Sequence, residues 1–317
     1  MSEIRRETEG TGQVDGLFYE LLRPSAKPAG DPREAVGTAA LDQPVLVALP
    51  GFLSDGRQLK RLLREVGRRC LVLDPIGAGR SAPAVRPEEY AWPRQVERFV
   101  AVLDHLRLDR VDVLGFSMGG MWLQQVLLAA PQRLSHAIFI ATCAGLSPRQ
   151  RSVLQGLQAL WQARVSRLDV WRLLAPLLFS VDFLERPSAV ALLEMLASDP
   201  RSHSAGAEEG RVVPLLQLQA MQAHDVRSQL SAIRSAAVEG QPVCTVIGCE
   251  QDILMPPSSQ RELASALAAE LHMLPAVGHT VWLEQPSLLA ALLRRVLSAV
   301  PSAENHSSRL TEGAGSG

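Results

Sequence analysis

Short apolar runs alternate with stretches of helical spacing along most of the chain. Buried strands are predicted at six of these runs: residues 45–49, 70–73, 111–114, 137–140, 243–247 and 271–274. Between the first of them, apolar residues recur at intervals of three and four, as at Leu59, Leu63 and Val66, which predicts an amphipathic helix. Strands that alternate with such helices favour an α/β fold, with a mostly parallel, twisted sheet and helices on both faces.

The alternation is interrupted in several places. Residues 12–22, with a turn signal at Asp15-Gly16, predict an antiparallel hairpin at the edge of the sheet. From Ser147 to about residue 233 the apolar residues keep helical spacing without a convincing strand, which predicts a helical cap inserted between two halves of one sheet. The Pro/Gly/Ala-rich stretch 24–43 predicts a surface loop.

The predicted domain organisation follows from these interruptions. We divide the chain into a first core part, a helical cap, a second core part and a polar, disordered tail, at residues 13–146, 147–237, 238–300 and 301–317. The chain has 317 residues, 47% of them hydrophobic, which is enough to form one large core with an inserted subdomain.

Charge and targeting signals narrow the class of protein. The net charge is −1, so no strong field favours nucleic acid or an anionic membrane. No apolar run approaches the roughly 20 residues that span a bilayer, and residues 1–12 lack the apolar centre of a secretory signal. We therefore expect a cytoplasmic protein that binds no nucleic acid and has no membrane span.

The four cysteines predict neither a metal site nor a disulfide framework. Cys70 and Cys244 lie in apolar strand-like runs, where a thiol behaves as a small apolar group. Cys244 and Cys249 lack the CxxC spacing and the nearby histidine pair of a zinc site. We interpret these thiols as free in a reducing compartment, and we expect no metal and no organic cofactor.

The most informative stretch is residues 111–120. An apolar run leads into Gly115-Phe116-Ser117-Met118-Gly119, and a helical pattern follows. This is the Gly-x-Ser-x-Gly pattern in the strand–turn–helix context of a nucleophilic serine. The glycines let backbones pass closely beside a strained turn, and the amides of a helix N-terminus favour developing negative charge. We predict Ser117 as the nucleophile; the alternative is a tight turn with an incidental serine.

A serine hydroxyl needs a base to take its proton and an acid to orient that base. Of the seven histidines, His279 stands out because it follows the last predicted strand, on a loop at the same sheet edge as Ser117. Asp252 follows the strand at 243–247 and is the predicted acid. Glu250 is the competing acid, whereas Asp74 precedes the serine and is interpreted as structural.

Together these segments resemble the α/β-hydrolase superfamily over roughly residues 14–300, and most closely its capped esterase, lactonase and C–C hydrolase branch. The serine, aspartate and histidine follow one another in the family's chain order. The other matching segments are Leu-Pro-Gly-Phe at 49–52, Asp-Pro-Ile-Gly-Ala-Gly-Arg-Ser at 74–81, His224-Asp225, and Gly278-His279 followed by Glu284-Gln285-Pro286.

The resemblance implies an oxyanion hole made by the backbone amides of Phe52 and Met118. The family usually has a histidine before Gly51, where this chain has Pro50; the Phe52 amide survives that change. Relatives that open epoxides or remove halide use an aspartate nucleophile, so Ser117 argues against both reactions.

The predicted cap is rich in large apolar side chains. Trp161, Trp171 and Phe179 of the cap, with Trp282 beyond the last strand, are the candidate lining of an apolar substrate pocket above Ser117. Packing within the cap's own core is the alternative for each cap residue. Arginines of the cap can bind a substrate carboxylate or lie on solvated helix faces.

These residues predict a serine hydrolase that cleaves a carboxylic ester, lactone or thioester of a small, apolar acyl substrate through an acyl-enzyme intermediate. Acyl transfer to an alcohol or thiol, or hydrolysis of a C–C bond in a diketone, would use the same three residues. A binding protein that keeps the fold without turnover is disfavoured, because Ser117, Asp252 and His279 are all present. We expect a monomer or a homodimer.

Overall fold

An eight-stranded sheet forms the centre of the protein. The computed structural model describes residues 10–23, 43–198, 209–235 and 241–298; the predicted loop at 24–43, except residue 43, and the predicted tail at 301–317 lie outside them. The strands are β1 Thr11–Val14, β2 Leu17–Leu22, β3 Leu46–Leu49, β4 Cys70–Leu73, β5 Val111–Phe116, β6 Leu134–Ile140, β7 Val243–Cys249 and β8 Glu270–Leu274.

The strand order across the sheet is β1-β2-β4-β3-β5-β6-β7-β8. The six strands β3 to β8 pair in parallel. The hairpin β1–β2 is antiparallel, and β2 joins β4 in antiparallel register. The predicted fold class is therefore confirmed, with the hairpin at one edge of the sheet.

Helices connect the strands and cover both faces of the sheet. Their bounds are α1 Gly56–Val66, α2 Trp92–His105, α3 Met118–Ala129, α4 Pro148–Gln162, α5 Arg167–Leu178, α6 Val181–Leu184, α7 Pro187–Ser198, α8 Glu209–Gln222, α9 Arg227–Ser235, α10 Pro257–Leu267, α11 Val281–Glu284 and α12 Pro286–Ser298. Among the described ranges, no helix combines the length and the apolar content needed to cross a bilayer.

Strand β5 shows why the central strands appear as continuous apolar runs. Val111 and Val113 pack into the cluster under α2 and α3, whereas Leu114 and Phe116 pack into the cluster under α1 and α12. Successive side chains point to opposite faces of a strand, and both faces are covered by helices. Each face of the sheet therefore has its own apolar core.

A third apolar cluster joins helices α4 to α8 to the carboxyl edge of the sheet. Helix α4 begins with a capping box, in which Ser147 and Gln150 exchange side-chain-to-backbone hydrogen bonds. Side chains of α4 to α8 then pack together and onto Leu53 and Leu254 of the core loops. Helix α9 is different, since Leu230 belongs to the core cluster beneath α2 and α3. The exact cap boundaries at 147–237 stay a prediction.

Candidate active site

Ser117 lies on a strained turn between β5 and α3. Its φ is 51° and its ψ is −113°, a conformation that L-residues rarely adopt. The turn is fixed by its neighbours. The Ser117 amide donates to the Ile140 carbonyl over 3.0 Å, and the Ser117 carbonyl accepts from Thr142 Oγ1 over 2.8 Å. The surrounding strands therefore hold the side chain at the carboxyl edge of the sheet.

The glycines around Ser117 are required by backbone packing. A β-carbon on Gly119 would stand 2.1 Å from the Leu49 carbonyl oxygen, and one on Gly115 would stand 2.4 Å from the Gly119 carbonyl oxygen. Both contacts are too short for a real side chain, and the obstructing atoms are backbone. The Gly-x-Ser-x-Gly pattern is thus the sequence that lets β3, β5 and α3 meet at one point.

His279 and Asp252 follow the neighbouring strands β8 and β7, and both are buried. His279 Nδ1 lies 2.8 Å from Asp252 Oδ2, and the Met255 amide donates to Asp252 Oδ1 over 2.7 Å. Burial raises the pKa of Asp252, and the adjacent His279 and two backbone amides oppose that rise. Because the carboxylate accepts at Nδ1, Nε2 is the imidazole nitrogen left to act as a base.

The two competing acids occupy different places. The Glu250 side chain is exposed, although its backbone amide is bonded to the Leu274 carbonyl. Asp74 accepts from the backbone amides of Gly56 and Arg80 over 2.8 and 2.9 Å, and so ties the start of α1 to the loop after β4. This geometry favours Asp252 as the partner of His279 and a structural role for Asp74.

A tight turn at residues 51–54 faces Ser117. The Ser54 amide donates to the Gly51 carbonyl over 3.3 Å, and Leu53 has a φ of 58° within the turn. A β-carbon on Gly51 would stand 4.0 Å from Ser117 Oγ. Phe52 therefore follows directly on the residue that packs against Ser117, and Met118, the first residue of α3, has an amide without an intrahelical acceptor. The placement is compatible with the predicted oxyanion hole, which stays a prediction.

One cavity of about 660 Å³, including its mouth, contains the side chains of both Ser117 and His279 in its wall. Trp171 and Trp282 also line it, and their role in substrate binding stays a prediction. Trp161 and Phe179 are not among the described residues of its wall, and their role in substrate binding stays a prediction. The Trp161 ring packs edge-on against Phe52, and Phe179 stacks on Phe183 with ring centroids 5.0 Å apart.

Two features of the site were not assigned from the sequence. Glu284, on α11, accepts from the Gly278 amide over 3.1 Å and from the Ser180 amide and hydroxyl in the cap. In the sequence, only the position of Glu284 shortly after Gly278-His279 pointed to a role in the site. The second feature is the pair Ser54 and Gln58, which forms part of the cavity wall; no motif pointed to these two residues.

The family is decided by a comparison over most of the chain. Residues 44–286 match the family model described as the alpha/beta hydrolase fold. The chain belongs to the α/β-hydrolase family. Membership supports hydrolase activity on small molecules in general terms, and the choice of reaction within the family depends on the site.

Individual α/β-hydrolases match over nearly their full length. RutD from Pseudomonas syringae pv. syringae, provisionally named a carbamate hydrolase, is 27% identical over 274 residues, which cover 82% of this chain and 96% of RutD. Two solved structures share the fold. The enol-lactonase from Burkholderia xenovorans LB400 has a TM-score of 0.71 at 19% identity and covers 91% of this chain and 99% of its own. The esterase EaEST from Exiguobacterium antarcticum has a TM-score of 0.67 at 18% identity and covers 89% and 95%.

Proposed function

We propose that this protein is a serine hydrolase that cleaves a carboxylic ester, lactone or thioester through an acyl-enzyme intermediate. The observation that carries the proposal is the arrangement of three side chains at one sheet edge. Ser117 and His279 face the same cavity, and Asp252 holds the far side of the imidazole at 2.8 Å. In such an arrangement the histidine can take the serine proton and the aspartate can orient the histidine, which is how a serine nucleophile is activated.

Each residue has a step in the proposed reaction. His279 Nε2 takes the Ser117 hydroxyl proton while Oγ attacks the acyl carbon, and the amides of Phe52 and Met118 donate to the oxygen that becomes negative. His279 then gives the proton to the departing alcohol or thiol. Water, deprotonated by the same imidazole, attacks the acyl-serine and restores the enzyme. Asp252 orients the imidazole and stabilises its positive charge throughout.

The cavity supports a substrate with a substantial apolar part. Side chains from α4, α5 and α8 form the side of the cavity away from the sheet, including Leu157, Leu174 and Met221. Apolar walls with a few polar groups are typical of small-molecule sites, since the walls exclude water and the polar groups fix orientation. The enol-lactonase and esterase that share the fold have names that agree with this substrate class.

A fluorophosphonate probe tests the proposal directly, because it reacts only with an activated serine. We expect stoichiometric labelling on the peptide that contains Ser117, and labelling should disappear in Ser117→Ala. Ser152→Ala, which changes an exposed serine on α4, is the matched control and should label like the wild type. The Ser117→Ala protein should also lose more than about 10⁴-fold of its ester hydrolysis while keeping its fold.

Two results would refute the proposal. A folded wild-type protein that neither labels nor hydrolyses any ester, lactone or thioester would indicate a protein that keeps the fold without turnover. Labelling at a serine other than Ser117 would place the nucleophile elsewhere. Product analysis with added alcohols and thiols then separates hydrolysis from acyl transfer, and a diketone substrate tests C–C bond cleavage, because both alternatives use the same side chains.

A further inference from the structure

The cavity wall contains a second group of polar side chains besides Ser117 and His279. Ser54 Oγ donates to Gln58 Oε1 over 2.9 Å, and both side chains line the cavity. Thr280 is the remaining polar residue of the described wall, and its hydroxyl donates to the Leu178 carbonyl over 3.1 Å. The wall's two tryptophans, Trp171 and Trp282, can only donate through their indole N–H groups, and the Trp282 N–H has no partner among the described residues. Ser54 and Gln58 are therefore the pair of side chains, besides Ser117 and His279, that can offer a substrate both a donor and an acceptor.

The direction of the Ser54–Gln58 bond decides what this pair can offer. Ser54 uses its only hydroxyl proton on Gln58, so its oxygen has lone pairs left to accept with. Gln58 uses its carbonyl oxygen, so its amide nitrogen has two N–H groups left to donate. One donor and one acceptor side by side match a group that can both accept and donate, such as a hydroxyl or an amide.

The pair lies close to the reacting centre. Ser54 closes the turn that begins at Gly51, so the Cα atoms of these two residues are less than about 7 Å apart. Gly51 in turn packs against the nucleophile, since a β-carbon there would stand 3.4 Å from Ser117 Cβ. A group bound by the pair would thus be separated from the scissile carbonyl by only a few bonds.

The charged groups of the cavity wall further restrict the class of substrate that the pair can bind. Among the described residues of the wall, His279 alone has an ionisable side chain, and its Nδ1 faces Asp252. A carboxylate bound at Ser54 and Gln58 would be removed from water without a cation to pair with, which is costly. A neutral hydrogen-bonding group would lose its water contacts and regain equivalent ones from the protein.

We infer that Ser54 and Gln58 form a specificity site for a neutral hydroxyl or amide group a few bonds from the scissile carbonyl. The inference rests on the proposed function and adds a substrate class to it: an apolar ester or lactone with one uncharged polar substituent near the reacting bond. Gln58 is half-buried and lies on the first turns of α1, so its substitution can be tested without disrupting the core.

Three esters that differ in one group test the inference, with turnover followed by acid release. Methyl butanoate has no hydroxyl group. Methyl 3-hydroxybutanoate has one on the acyl side of the ester, and 2-hydroxyethyl butanoate has one on the alcohol side. We expect at least one hydroxylated ester to exceed methyl butanoate in kcat/KM by about fivefold, the value of one hydrogen bond. Gln58→Leu should abolish this preference, so that the ratio of kcat/KM for the hydroxylated ester to kcat/KM for methyl butanoate falls to about one.

Controls separate this inference from the proposed function. Gln155→Leu makes the same substitution at an exposed position of α4 and should keep the preference. Monomethyl succinate, which adds a carboxylate, should be a poorer substrate than methyl butanoate. A wild type that hydrolyses all esters without preference for a hydroxyl, a preference that survives Gln58→Leu, or faster turnover of the carboxylate would overturn the specificity site alone. An enzyme that hydrolyses none of these esters and does not label at Ser117 would overturn the proposed function and this inference with it.

Discussion

The carboxylate of Asp252 joins His279 on one oxygen and the backbone of its own loop on the other. Its Oδ2 lies 2.8 Å from His279 Nδ1, while Oδ1 accepts from the Met255 amide over 2.7 Å. Gln260 Nε2 also points at Oδ2, over 3.4 Å. The carboxylate is therefore fixed before any substrate arrives, and the imidazole is held by one hydrogen bond to it.

Asp252→Asn should lower kcat by about 10²- to 10⁴-fold with little change in KM. The amide can present N–H groups to Nδ1 and so favours the tautomer in which Nε2 is protonated and cannot act as a base. Steady-state kinetics on an ester, recorded across pH, measure the effect. Glu250→Gln, at an exposed position two residues away, should be close to wild type. If Glu250→Gln is the damaging change, the assignment of the acid is wrong.

Glu284→Gln should weaken both stability and activity. The Glu284 carboxylate accepts from Gly278, the residue before His279, and from Ser180 at the start of α6. A neutral amide has one acceptor oxygen for these donors, so at least one buried donor is left without a partner, at a cost of about 1–3 kcal/mol. Chemical denaturation and kcat measure the two effects. Glu185→Gln, at an exposed cap position, is the control and should change neither.

His224 is a buried histidine that the proposed chemistry does not use. Its Nε2 lies 3.2 Å from Gln124 Oε1 and its Nδ1 lies 3.3 Å from Gln125 Nε2. The Gln124 amide nitrogen donates to the Cys143 carbonyl, so Gln124 Oε1 is the acceptor and Nδ1 of the imidazole accepts from Gln125. Burial lowers the pKa of His224 to about 4. The fold therefore prefers the neutral ring.

His224→Gln should make stability less sensitive to acid. In the wild type the unfolded chain binds a proton at His224 near the ordinary histidine pKa of 6.5, whereas the folded protein binds it near 4. Stability is therefore complete above pH 6.5 and is lost as pH falls from 6.5 to 4, by roughly 2 kcal/mol at pH 5. Urea denaturation at pH 7 and pH 5 measures the loss in each protein. An equal loss in both would contradict the role of this imidazole.

Gly119→Ala should destabilise the protein by more than about 3 kcal/mol or prevent folding. The new β-carbon would meet the Leu49 and Pro50 carbonyl oxygens at 2.1 and 2.6 Å, and neither backbone can move without shifting β3. Gly156→Ala is the matched control on α4, where a β-carbon meets nothing within 4 Å. It should stabilise by about 0.5–1 kcal/mol, because alanine favours a helix interior. Thermal unfolding of both variants compares them.

The sheet could be predicted because its strands combine apolar runs with glycine-marked ends. The run at 111–114 continues into β5 as far as Phe116, and the strand predicted at 137–140 begins earlier, at Leu134. The start of β6 was missed because the polar residues Ser135 and His136 interrupt the apolar pattern. His136 Nε2 instead lies 2.9 Å from Thr245 Oγ1 on the neighbouring strand, a tertiary contact that periodicity cannot reveal.

Part of the candidate site could likewise be predicted from the sequence, and part could not. Residues that directly follow parallel strands lie at the same edge of the sheet. The positions of Ser117, Asp252 and His279 after predicted strands were therefore enough to predict that they lie together. The lining of the cavity depends on which face each helix turns inward. Trp171 faces the cavity while Phe179, eight residues later, packs on Phe183. Glu284 and Gln58 were missed because their roles depend on partners far away in sequence or on a cavity that only the fold creates.

The end of α5 and the residues after it are hydrogen-bonded at two points to the segment that follows His279. Leu178 accepts from the amide and the hydroxyl of Thr280, and Ser180 donates to Glu284. A movement of α5 away from the sheet would therefore displace the His279 imidazole and, in the proposed mechanism, separate the base from Ser117. For the proposed enzyme we therefore expect substrate to enter past α4 and α8, which contribute Val153 and Met221 to the cavity wall and have no such hydrogen bonds to the His279 loop among the described residues.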